Sequence, residues 1–150
     1  MGAASFQTTY VARDAATAFA NAASDARFEH GHGGYTGTLA EKDGFLAPIA
    51  LPARWKVQDF VDAVMRAEII ADPESVYGGY KPTAKERALL ARLVRDLPSW
   101  RRIVDAATGD KWGPAVCVEV TGSQAATIKK QQGRAGTRDR VYVFFGLASC

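Results

Sequence analysis

Both histidines of the chain, His30 and His32, stand one residue apart in Glu29-His30-Gly31-His32-Gly33-Gly34-Tyr35-Thr36-Gly37-Thr38, a stretch that also holds four of the fourteen glycines. Imidazole exchanges protons near neutrality, so His30 and His32 are the candidate acid–base pair. Successive glycines let a ligand approach the backbone closely. Their amides, with the hydroxyls of Tyr35, Thr36 and Thr38, could hold an anion or a carbonyl. A zinc centre needs three or four protein ligands. No second Cys/His cluster supplies them, so neither a metal nor a cofactor is expected. The pattern Gly31-x-Gly33-Gly34-x-x-Gly37 is not the dinucleotide fingerprint, and it follows a helix-like segment where that fingerprint has to follow a strand. A phosphate loop ending in Gly-Lys-Ser/Thr is also absent.

The second chemically loaded stretch is Thr127-Ile128-Lys129-Lys130-Gln131-Gln132-Gly133-Arg134-Ala135-Gly136-Thr137-Arg138-Asp139-Arg140. Lys129, Lys130, Arg134, Arg138 and Arg140 supply positive charge, and the Gln and Thr side chains add hydrogen-bond donors. Such groups suit phosphate oxygens. The expected function is therefore binding of a phosphate-containing ligand, a nucleic acid or a nucleotide, through a basic hairpin and a glycine-rich turn. An enzymatic alternative is a small hydrolase or transferase on a nucleotide or phosphorylated substrate. In it, His30 or His32 moves a proton while Lys130 or Arg134 stabilises negative charge. A non-enzymatic module that binds a protein partner or forms a homo-oligomer is the third reading, with Cys150 and the Val141–Leu147 run at its interface. No nucleophile elbow surrounds Ser123 or Thr121. Cys117 alternates within an apolar run and reads as a buried thiol; Cys150 reads as exposed.

Charge is unevenly placed. Residues 1–80 carry six Lys or Arg against ten Asp or Glu, and residues 81–102 carry seven against two. Residues 121–140 carry five against one, within a net charge of +3. Two basic segments thus face an acidic first half, a layout that can steer an anionic partner.

The elements that must position these groups follow from periodicity. Phe6–Val11 reads as a first strand, rich in aromatic and β-branched residues. Asp14 can cap a helix from Ala15 to about Phe28, with Ala15, Phe19, Ala22 and Ala26 on one stripe. Tyr35–Ala40 reads as a short strand leaving the glycine turn, and Phe45–Pro52 as an edge strand or extended cover broken by prolines. Val57, Phe60, Val61, Val64, Ala67 and Ala71 mark a second helix that ends at Asp72-Pro73. Thr83 with Glu86 is a capping box that opens a third, and Ser99 is expected to cap a fourth carrying Trp100, Ile103, Val104 and Ala107. Ala115–Val120 and Val141–Leu147 read as the strongest strands. Between them, Thr121–Arg140 is either a long hairpin arm or a short helix over Gln124–Gln132 followed by a loop. Trp55, Trp100 and Trp112 are expected as core or cover residues.

The composition, 47% hydrophobic and 23% charged over 150 residues, suits one soluble domain spanning 1–150. The expected fold is α+β: an antiparallel or mixed sheet of four or five strands covered by helices, placed over one face. A parallel nucleotide-binding sheet is the runner-up, weakened by the lack of strand signals among the central helices. No apolar run is long enough to span a membrane, and Met1-Gly2-Ala3-Ala4-Ser5 lacks the basic and apolar segments of a signal peptide. With two cysteines and no disulfide framework, the cytoplasm is the expected setting.

Overall fold

Strand β1 (Ala3–Ala12) and strand β4 (Arg140–Ser149) are joined antiparallel over their full length, from Ala3 opposite Ser149 to Ala12 opposite Arg140. The computed structural model describes residues 2–31 and 34–150. On its other side β4 pairs antiparallel with β3 (Val116–Val120), and β3 pairs parallel with the two-residue β2 (Ile49–Ala50). The result is a mixed four-stranded sheet of order β1-β4-β3-β2, within an α+β fold.

The helices cover both faces of this sheet, where the sequence suggested one. Side chains along a strand alternate between faces. Val141, Val143 and Phe145 of β4 point into a core shared with α2 (Val57–Ala71), α3 (Ala84–Asp96) and α4 (Trp100–Val104). Tyr142 and Phe144 point the other way, into a core made with α1 (Ala15–His30), Leu39 and Phe45. A central strand covered on both faces reads as a continuous apolar run rather than an alternating one, and Val141–Phe145 is such a run. The alanines of α1 let it lie close: Ala18 and Ala22 are buried, and Phe19 meets Phe45 and Phe144 at ring separations of 5.1 and 5.5 Å.

Several local expectations are met in detail. Asp14 caps α1 by accepting from Thr17 N at 2.7 Å. Thr83 and Glu86 form the reciprocal capping box of α3. Others are corrected. Tyr35–Ala40 is not a strand: Gly37, at φ 69°, donates to Ser149 O at 2.7 Å, and the Thr38 hydroxyl caps a 3₁₀ turn at Leu39–Glu41. Threonine hydroxyls compete for backbone donors in this way. Ser99 makes no side-chain cap, and α4 passes after one turn into a π turn at Asp105–Gly109. That turn presses on β4 at Gly146, where a Cβ would stand 3.4 Å from Ala107 O. Trp112 is half exposed and takes a cover position, stacked edge-on against Tyr35. Thr121–Arg140 is no hairpin. It forms α5 (Gly122–Gln131), whose Ala125 and Ile128 pack on the core, and then a loop returning to β4.

Candidate functional site

The register defines two ends of the sheet. Ala12, Ala50, Val120 and Arg140 lie at one end; Ala3 and Ser149 lie at the other. At about 3.3 Å per residue, the ten-residue strands separate these ends by roughly 30 Å. The glycine segment belongs to the Ser149 end, because Gly37 and Gly34 are bonded to Ser149. The basic segment belongs to the Arg140 end. The two predicted halves of a single site are therefore far apart.

At the Ser149 end, His30 Nε2 lies 3.7 Å from Glu29, with about half of its side chain exposed. His30 lines an open groove of about 430 Å³ with Ser5–Tyr10, one flank of α1 and Gly37–Leu39. Among the described residues no Lys or Arg lines it, so His30 has none of the cationic partners that the enzymatic reading requires. His32 lies outside the described residues. Thr36 and Thr38 are occupied with each other at 2.8 Å, with Glu41 and with Ala40 N. Tyr35 remains half exposed.

At the Arg140 end, three open depressions adjoin. The first, about 580 Å³, is lined by Pro52, Ala53, Arg54, Arg92, Arg95 and Asp96. The second, about 370 Å³, shares Pro52–Arg54 with it and adds Trp55, Lys56 and Thr121–Gln124. The third, about 260 Å³, shares Thr121 and Gly122 and adds Glu119, Lys129, Asp139 and Arg140. Together they make a band running from α3, past the loop after β2 and the start of α5, to the start of β4.

The loop Leu51–Lys56 is held firmly between its neighbours. Trp55 is buried under the Arg92 guanidinium, 4.3 Å away, and donates its indole N–H to Asp96 at 3.0 Å. Arg92 also donates to Arg54 O at 2.6 Å. Gln124, on the first turn of α5, bridges the same loop: its Oε1 accepts from Val57 N at 3.0 Å and its Nε2 donates to Trp55 O at 2.8 Å. These bonds hold Arg54 at φ 68°, a left-handed conformation that costs a non-glycine residue about 1–2 kcal/mol. The α5 N-terminus has no side-chain cap and no acid in its first turn, so its amides face the second depression as a partial positive charge.

The acids along the band are already engaged. Asp96 is paired with Arg95 and Arg92, and the Arg95 contact holds its carboxyl below the usual range. Asp139 pairs with Arg134 and Glu119 with Arg140, each at 3.4 Å. Lys129 donates to Thr137 O, closing the loop after α5. The side chains of Arg54, Lys56, Lys130 and Arg138 are exposed and have no hydrogen bond or ion pair among the described residues.

Arg54 and Lys56 were not singled out by sequence. The only signal was two cations flanking a tryptophan just after Pro52. Lys42 was not singled out by sequence either. It is almost fully buried, donating to Lys111 O and Gly113 O at 3.0 and 2.9 Å, and burial pushes its ammonium pKa down. Those acceptors lie about seventy residues along the chain. Cys117 is buried and its thiol pushed up to about 12, so it is inert as a nucleophile at neutral pH. Among the described residues, no three His, Cys, Asp or Glu side chains converge as metal ligands, and no helix is long and apolar enough to cross a membrane. Comparison of the chain with protein-family models, curated proteins and solved structures gives no match.

Proposed function

We propose that the protein binds the phosphate backbone of a nucleic acid along the Arg140 end of its sheet. The observation that carries this reading is the continuity of the three depressions. They are lined by six cations, Arg54, Lys56, Arg92, Arg95, Lys129 and Arg140, against three acids; Arg92, Arg95 and Arg140 are the ones paired with acids, and Arg54 and Lys56 have no ion pair among the described residues. Lys130 in the last turn of α5, and Arg134 and Arg138 in the loop after it, extend the same band. A mononucleotide needs cations converging on one pocket. Cations spread along a band suit the repeating charge of a polyanion. Trp55 is covered, and among the described residues no exposed aromatic lines the band, so base stacking contributes little. Binding is then largely independent of sequence and strongly dependent on salt. The setting we infer is the cytoplasm, supported by two cysteines that are not joined in a disulfide.

Fluorescence anisotropy with labelled single- and double-stranded oligonucleotides, between about 50 and about 200 mM salt, tests the reading. Measurable affinity at low salt and a steep loss with added salt are expected. A mononucleotide titrated by calorimetry should bind far more weakly than an oligomer. No oligonucleotide binding at low salt would end the proposal.

A further inference from the structure

The two edges of the sheet are built differently. The β2 edge is two residues long and lies between Pro48 and Pro52, the short and proline-flanked form that blocks strand addition. The β1 edge is ten residues long, pairs with β4 in unbroken register, and contains no charge, proline or glycine. Gly2 O accepts from Cys150 N at 3.3 Å, which sets the phase of the ladder. Inward and outward backbone groups alternate along an antiparallel strand. Ala3, Ser5, Gln7, Thr9 and Val11 therefore turn their N–H and C=O groups away from β4, and among the described residues these groups have no backbone partner.

We propose that this edge pairs with β1 of a second copy, antiparallel about a two-fold axis, joining two four-stranded sheets into one. Antiparallel pairing of a strand with its own copy satisfies the same row of groups on both chains at once. With Gln7 opposite Gln7, Ser5 meets Thr9 and Ala3 meets Val11 on one face. Phe6 meets Thr8 and Ala4 meets Tyr10 on the other. No like charges are opposed, and each aromatic ring faces a small or β-branched partner, the kinds of cross-strand pair that stabilise sheets. The flank of α1 beside this strand carries Asp25, which accepts from the Tyr10 hydroxyl. The groove beside the strand is lined by Asp25 and Glu29 without Lys or Arg among the described residues; Arg134 of the basic band comes within electrostatic reach of Tyr10 at one end of the strand, but the pairing does not rest on the nucleic-acid reading.

Sedimentation of the purified protein over a wide concentration range should give a dimer. Gln7→Lys opposes two charges at the axis, and Ser5→Pro removes an outward N–H without touching the β4 ladder. Each should shift the protein to monomer while its circular dichroism and melting temperature stay near those of the original. Gln7→Cys in a Cys150→Ser background should form a cross-linked dimer on oxidation, since directly opposed residues of this kind lie about 5.5 Å apart. A monomer at every concentration would overturn the proposal. So would a dimer that persists in folded Gln7→Lys and Ser5→Pro variants, or the absence of the cross-link.

Discussion

Glu86 is the most heavily engaged carboxylate among the described residues. It accepts from Tyr80 and from Arg66, the latter at 2.8 Å, and closes the α3 capping box through Thr83 N. These hydrogen bonds, with Tyr80 the largest contribution, lower its pKa from 4.5 to about 2. A carboxylate whose folded pKa lies below its unfolded value stabilises the fold above the unfolded pKa, and loses that contribution as pH falls through the folded one. The protein should therefore lose stability as pH drops from about 4.5 to about 2. Glu86→Gln should flatten that part of the profile, read by denaturant unfolding at each pH. Lys42 poses the opposite case, a buried cation with two carbonyl acceptors. Lys42→Met keeps the volume but strands both carbonyls, and should cost about 2–4 kcal/mol in the same measurement. A change under about 0.5 kcal/mol, the range of an ordinary surface substitution, would mean that water replaces the ammonium there.

Among the elements, β4 bears most of the structural load, buried between β1 and β3 and covered on both faces. Phe144 is fully buried against Phe19 and Phe45. Phe144→Ala should cost about 3–5 kcal/mol in denaturant unfolding, and a loss below about 1 kcal/mol would mean that the α1 layer collapses to fill the space. The central position of β4 also removes the Val141–Leu147 run from any surface interface, which moves the candidate contact between copies to β1. Helix α5 was half legible: Ala125 and Ile128 make one short apolar edge in a polar stretch, enough for a helix to dock but too little to decide against a hairpin. The Leu51–Lys56 loop was not legible, because its shape depends on Gln124 and Arg92 reaching it from two other helices.

Over the whole molecule, Arg92 and Arg95 of the basic segment 81–102 and the segment 121–140 lie along one end of the sheet, with Arg54 and Lys56 between them. Replacing Arg54 and Lys56 with Ala, or Lys129, Lys130 and Arg134 with Ala, should weaken oligonucleotide binding and lower its salt slope by about 0.7–0.9 for each phosphate no longer neutralised. Substituting His30 should leave that binding unchanged, since His30 stands at the far end. Equal affinity and slope in all these variants would place the binding surface elsewhere. Sequence by itself determined the features that depend on near neighbours: the capped starts of α1 and α3, the apolar stripe of α2, the main strands, and the α+β class. Each follows from periodicity or from a side chain bonding its own backbone within a few residues. Only the tertiary structure decided that both sheet faces are covered, that the glycine turn and the basic loop stand at opposite ends, that Lys42 is buried, and that Arg54 and Lys56 complete the band. Those outcomes depend on strand order and on hydrogen bonds between residues dozens of positions apart, for which local pattern carries no signal.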